Sequence, residues 1–161
     1  MGGRETIKQG PDMKTLVGMT AALAVMAAGA AKAEIYKDWT PQKGGWQVTE
    51  IHVDSNHIDD YLTGLKTTWV TGNEISKKHG VIDDYRVLLR IDPAGKGANV
   101  LLELHYPTLA MLDPDMARDK AIEKEGYEAV SKDKGKEMVA GYEKYRSFVG
   151  DGVYSVVTFG K

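Results

Sequence analysis

The chain has 161 residues, enough for one domain of ordinary size, and its 42% hydrophobic and 27% charged residues exclude a fully disordered protein. Lys and Arg number 21 and Asp and Glu number 23, so the net charge is −2 and we expect no nucleic-acid partner, which would require a basic surface. The absence of Cys excludes disulfides, thiol catalysis and thiolate metal sites.

The N-terminal segment predicts export. Met13 and Lys14 precede an uncharged, Ala-rich apolar run, which is followed by Ala31-Lys32-Ala33 with small residues at the −3 and −1 positions. A positive start, an apolar run and small residues before the cut are typical of a secretory signal peptide. We therefore expect cleavage after Ala33 and a periplasmic or secreted protein. A membrane anchor is the rival interpretation, but the run is only just long enough to span a bilayer, so we expect membrane contact only during export.

Residues 1–12 form a polar prefix to this signal, and either Met1 or Met13 can be the true start. The sequence Met1–Thr6 fits the myristoylation pattern, but the export signal directly downstream favours a chance match. The predicted organisation is a removed signal peptide with its prefix over 1–33, an irregular lead-in over 34–45 and a single domain over 46–161.

The first half of the mature chain predicts a strand followed by a long helix. Apolar and polar residues alternate over Trp46–Val53, which predicts a strand. Helix-capping residues at 54–56 and apolar residues at helical spacing then predict a helix that ends near Gly80. Acidic residues in its first turn and basic residues in its last turn suit the helix dipole.

The second half predicts a hairpin, a helical region and a last strand. Val81–Arg90 and Asn99–Tyr106 predict two strands joined by a turn over 92–98. The range 113–149 predicts two helical pieces, the second running to its end, and Gly152–Phe159 predicts the last strand.

The resulting order, β-α-β-β-α-β, is that of the ferredoxin-like fold. This α+β fold has a four-stranded antiparallel sheet in the order 4-1-3-2, with both helices on one face and the other face open. We expect the mature chain to adopt it.

Four short motifs carry a resemblance to a known group of proteins, and they lie within residues 45–110: Gly45–Val48, Asp59–Trp69, Gly80–Tyr85 and Asn99–Leu102. On these motifs the chain resembles the dimeric α/β barrel superfamily, and within it the small exported NIPSNAP-like proteins. The resemblance implies a homodimer in which two sheets pack into a barrel. Some members of the superfamily are haem-degrading or quinone-forming monooxygenases or haem peroxidases, and many have no assigned activity.

The strand pattern also predicts which polar side chains share the open face. Alternation puts Glu50 and His52 of the first strand, and Glu103 and His105 of the third, away from the helices. We expect the first and third strands to be parallel neighbours, so that the four residues form two parallel Glu-x-His pairs. Trp46 and Arg86 belong to the same face.

Three hypotheses apply to this face. His52 or His105 can act as a general base oriented by Glu50 or Glu103, with Arg86 and Trp46 binding a small organic ligand in the barrel cavity. The two pairs can instead bind a divalent metal. The third hypothesis is a structural polar ladder. We expect no bound cofactor and a non-catalytic binding or structural role, with a cofactor-independent monooxygenase-like or isomerase-like enzyme as the alternative.

The remaining polar candidates are weaker. Asp83 and Asp84 are interpreted as a solvated entry to the second strand, and His79 as a favourable cation at a helix end. Tyr61 and Trp69, at helical spacing, are interpreted as core or dimer contacts.

Overall fold

The computed structural model describes residues 33–92 and 95–160. Apart from Ala33, the predicted signal peptide and its prefix lie outside the described residues. From Ile35 onward the described residues belong to one compact unit. None of the described helices is long and apolar enough to cross a membrane.

The described residues form two antiparallel sheets. The larger has the strand order β3-β4-β2-β5 and the smaller pairs β1 with β6. The strands are β1 Trp39–Pro41, β2 Gly45–Val53, β3 Asp84–Leu89, β4 Val100–Tyr106, β5 Arg146–Tyr154 and β6 Val157–Phe159. This confirms the predicted α+β class with a four-stranded antiparallel sheet.

The direction of the two central strands differs from the prediction. β2 and β4 are antiparallel neighbours, with Trp46 opposite His105 and Ile51 opposite Val100. The predicted parallel pairing is therefore wrong. The reason is topological: the chain returns through a helix to start β3 in the direction of β2, and the hairpin then reverses it into β4.

The predicted long helix is confirmed, with an irregular middle. A 3₁₀ turn over Ser55–His57 leads into α1 (Ile58–Leu65), a π-helical turn over Lys66–Val70 and then α2 (Thr71–Lys78). Gly80, with a φ of 71°, follows the helix as predicted and takes the left-handed conformation that glycine adopts without strain.

The second helical region forms two pieces, as predicted, but it ends earlier. They are α3 (Met116–Ala129), which is capped by the Asp115 carboxylate, and α4 (Lys132–Tyr142). The prediction of helix to residue 149 is wrong, because β5 already begins at Arg146. Tyr142, Tyr145 and Val149 follow a helical spacing, although α4 ends at Tyr142. The pairing of β5 with β2 is itself irregular, because its register shifts between Glu50 and Ile51.

The prediction of an irregular lead-in over 34–45 is wrong for its middle, where Trp39–Pro41 form β1. Trp39 pairs with Phe159, so the start and end of the domain form the small sheet. The pairing joins residues far apart in sequence, and nothing in either short segment predicts it alone. The predicted last strand, 152–159, accordingly divides between β5 and β6.

The core lies between the larger sheet and the helices. Ile51, Val53, Val100 and Leu102 of the sheet pack with Tyr61 and Leu65 of α1 and Tyr142 of α4. These residues belong to the sheet face that the alternation pattern assigns to the helices, and the opposite face presents the polar residues.

Candidate functional site

The open face of the larger sheet carries the predicted site residues. Trp46 lies opposite His105, Val48 opposite Glu103 and Glu50 opposite Leu101. The next pair in the register, Ile51–Val100, is fully buried on the helix side, so these alternate pairs point the other way. Glu50, His52, Glu103 and His105 therefore share one face.

The antiparallel pairing nevertheless separates the two histidines. His105 lies beside Trp46, six residues along β2 from His52, so the imidazoles are about 20 Å apart. Glu50 and Glu103 are diagonal neighbours across the strands. His52 Nδ1 is 2.7 Å from the carbonyl oxygen of Gly97, so its ring is engaged at the far end of β2. The two Glu-x-His pairs do not form one site.

The metal hypothesis receives no support from this geometry. Within residues 33–92 and 95–160, no three His, Asp or Glu side chains are close enough together to hold an ion. His79, at the end of α2, has its Nε2 atom 3.0 Å from the Glu125 carboxylate.

Three predicted residues do meet at one end of the sheet. The Arg86 guanidinium carbon lies 4.2 Å from the centre of the Trp46 ring, close enough for a cation–π interaction. On the same indole, the His105 ring packs at a centroid distance of 4.8 Å and an interplanar angle of 44°. The open-face cluster is defined as Trp46, Arg86, His105 and Asp83, the last of which contacts His105.

Asp83 orients His105. Its Oδ1 atom is 2.5 Å from His105 Nδ1, and its backbone N–H donates to the carbonyl of His105 at 3.1 Å. The side chain and the backbone of Asp83 therefore both bind this one residue. The carboxylate on Nδ1 leaves Nε2 as the ring nitrogen that can meet a ligand.

The Arg86 side chain is held by Asp84, a residue of the same strand. Its Nε and Nη2 atoms donate to Asp84 Oδ2 at 3.3 and 3.2 Å, and Glu103 lies opposite it on β4. The Arg86 side chain is still 54% exposed. The guanidinium is thus fixed over the indole while part of its donor edge faces solvent.

The sequence interpretation missed two residues of this face. Asp83 was interpreted as a solvated strand entry, although it directly precedes the strand that pairs with His105. Tyr154 lies opposite Trp46 on β5, and its hydroxyl comes within 3.1 Å of a Cβ placed at Gly152, so its ring leans over that glycine. Gly152 could have indicated this arrangement from the sequence, because a glycine within a strand often marks a place where another group approaches the backbone closely.

The helix side of the sheet carries tyrosines with shifted ionisation. Burial raises the pKa of Tyr61, and the Arg146 guanidinium beside it opposes that rise. The Tyr85 hydroxyl donates to the Glu74 carboxylate, and this hydrogen bond raises the pKa of Tyr85. Trp69 packs edge-on against Tyr85. The predicted core role is confirmed for Tyr61, which is fully buried, and Trp69 packs against the core.

Comparison of the chain with models of protein families, with curated proteins and with solved structures found no match. Function must therefore be argued from the geometry of the site.

Proposed function

We propose that the protein is an exported homodimer with a ferredoxin-like fold that binds a small organic ligand, without converting it, on the open face of its sheet. One observation carries this proposal: Arg86 and His105 pack on the same indole, on a sheet face opposite the helices. Such a surface offers a cation and two aromatic rings in a fixed arrangement.

The fold and the dimer are proposed from the sheet. The order β3-β4-β2-β5, with helices between β2 and β3 and between β4 and β5, supports a ferredoxin-like topology. The open face exposes Leu88, which lies opposite Leu101, and Tyr154, which lies opposite Trp46. A second copy of the sheet would cover these groups and enclose the cluster in a barrel, as in the dimeric α/β barrels that the sequence resembles.

Export is proposed from the segment that ends at Ala33. It is tested by expressing the full chain in a bacterial host and measuring the intact mass of the protein from the periplasmic fraction. The expected mass is that of a chain that begins at Glu34. A full-length mass found only in the cytoplasm would contradict export.

The cluster favours a flat organic anion. A guanidinium donates paired hydrogen bonds to a carboxylate, and the indole and imidazole provide aromatic surface for an unsaturated ring. We therefore choose benzoate as the probe and benzyl alcohol as its neutral counterpart. Benzoate is expected to bind and to quench Trp46 fluorescence, with benzyl alcohol binding more weakly.

The matched variants are Arg86→Gln and Arg90→Gln. Arg90 follows the same strand but pairs with Asp92, away from the cluster. Loss of a charge-assisted hydrogen bond predicts about tenfold weaker benzoate binding for Arg86→Gln, and no change for Arg90→Gln. Equal affinities for the two variants, or no saturable binding of benzoate at all, would refute this assignment of the ligand.

A second function, enzymatic general-base catalysis, is favoured by the Asp83–His105 contact. An imidazole whose Nδ1 is held by a carboxylate can accept a proton at Nε2, as a cofactor-independent monooxygenase-like or isomerase-like enzyme would require. The distinction lies in the fate of the ligand: a bound molecule recovered unchanged supports binding alone. Turnover that is lost in His105→Gln and kept in His52→Gln would favour the enzyme.

A further inference from the structure

A cavity lies on the helix side of the molecule, away from the open face. It has a volume of about 560 Å³ and is bounded by α2 on one side and by α3 and α4 on the other. Ile75, Val130 and Val139 give it an apolar lining. Its size lies within the range of small-molecule sites, and the proposed function makes no use of it.

Three helix glycines form part of its wall, and no contact with residues 33–92 or 95–160 explains them. Gly72, Gly126 and Gly135 lie inside α2, α3 and α4, where glycine is less stable than alanine. A Cβ at Gly72 or Gly126 would meet no atom within 4 Å, and one at Gly135 only a Val130 methyl at 4.0 Å. Side chains at these positions would project into open space, so glycine here keeps the cavity free.

The rim of the cavity carries two lysines near each other and two glutamates that are placed differently. Lys132 and Lys136 lie one turn apart at the start of α4, and in the described part of the chain neither ammonium forms an ion pair. Lys132 Nζ lies 5.4 Å from the centre of the Tyr127 ring. Of the two rim carboxylates, Glu123 accepts a hydrogen bond from the Tyr127 hydroxyl at 3.0 Å. Glu143 lies seven residues beyond Lys136, about 10 Å along the helix direction.

We propose that this cavity binds a single-chain amphiphile with an anionic head group. Its aliphatic tail fills the apolar space between the helices, and Lys132 and Lys136 hold the head at the start of α4. The apolar lining accounts for the tail, the unpaired cations for the anion, and the glycines for the room between them.

The test is isothermal titration calorimetry of the full chain with hexanoate, octanoate and decanoate below their micellar concentrations. Because each buried methylene contributes a constant increment, affinity is expected to rise about fourfold per added methylene. One molecule is expected per chain. Absence of saturable binding, or affinity that does not change with chain length, would overturn the proposal.

Two variants locate the tail. Gly126→Leu fills the cavity while improving helix propensity, so decanoate binding should fall at least tenfold while the melting temperature holds or rises. Gly141→Leu is the matched control: its Cβ also meets open space, but Gly141 is not part of the cavity wall. Equal loss of binding in both variants, or undiminished binding in Gly126→Leu, would exclude this cavity as the site.

The head group is tested with charge. The double variant Lys132→Gln, Lys136→Gln should bind octanoate about tenfold more weakly and bind 1-octanol unchanged. Octanoate binding that survives the loss of both lysines would overturn their role. Phosphatidylglycerol vesicles distinguish a membrane surface from a free amphiphile: retention of the protein by vesicles without binding of monomeric decanoate would also overturn the proposal.

Discussion

Gly64 of α1 offers a stringent test of how the helices pack. A Cβ at this position would lie 2.2 Å from the Tyr142 hydroxyl oxygen and 2.6 and 2.7 Å from two carbons of its ring. Carbon atoms in contact prefer about 3.5–4.0 Å. Tyr142 is only 5% exposed and packs edge-on against Tyr61, so its ring has little room to retreat. Gly64→Ala must therefore displace a core side chain.

The expected free-energy change follows from opposing contributions. Replacing glycine by alanine inside a helix stabilises it by about 1 kcal/mol. Overpacking a tight core costs about 1–3 kcal/mol, and displacing the Tyr142 hydroxyl from Thr68, now 3.3 Å away, costs about 1 kcal/mol more. Gly64→Ala should destabilise the protein by about 1–3 kcal/mol in total.

Gly72→Ala is the matched control, because a Cβ at Gly72 meets nothing within 4 Å. It should stabilise the fold by about 0.5–1 kcal/mol. Urea unfolding followed by circular dichroism measures both variants. Adding Tyr142→Leu to Gly64→Ala should relieve the cost and give a favourable coupling energy. A Gly64→Ala variant as stable as Gly72→Ala would refute the described contact between α1 and α4.

Three further predictions concern the core, the dimer and a surface carboxylate. Asn99→Ala should destabilise the protein by about 2–4 kcal/mol in urea unfolding, because the Asn99 amide pairs with both the backbone N–H and C=O of Val53 and its loss leaves both groups without that partner. The control Asn56→Ala, at an exposed position, should change the stability little. Leu88→Lys should convert the proposed dimer to monomer in light scattering, whereas Leu89→Lys, similarly exposed but on the helix side, should not; equal effects would argue against sheet-to-sheet pairing. Lys78, then His79, hold the pKa of the Glu125 carboxyl below its usual range. The ionised Glu125 carboxylate therefore stabilises the fold at pH values above the ordinary glutamate pKa, and this contribution is lost as the pH falls through the lowered pKa. Carbon NMR titration should show the lowered pKa, and Lys78→Gln should raise it.

The sequence predicts much of the fold where one local pattern dominates. Alternation in β4 correctly places Val100, Leu102 and Tyr106 on the buried face, because a strand exposes its two sides to different environments. The long helix is predictable because apolar spacing, terminal charges and the stop at Gly80 agree with one another. Such agreement between independent signals makes a local prediction dependable.

Other features depend on distant partners. The pairing of Trp39 with Phe159 brings together the two ends of the domain, and neither short segment indicates its partner. Tyr145 and Val149 continue the helical spacing of α4, yet residues 146–148 pair with β2 because that strand offers unpaired backbone groups there. In both cases tertiary pairing decides the outcome, so local periodicity could not predict it.

The candidate site shows the same division between local and global information. Alternation assigns His52 and His105 to one face, but the direction of β4 decides which of them lies beside Trp46. Because that strand is antiparallel, only His105 joins Arg86 there, and Asp83 becomes its partner. A reaction that needs both an acid and a base could not use the two histidines of one subunit across about 20 Å. Its second group would have to come from Glu103, from a second copy in the proposed dimer or from the ligand itself, and this requirement makes binding without conversion the simpler use of the face.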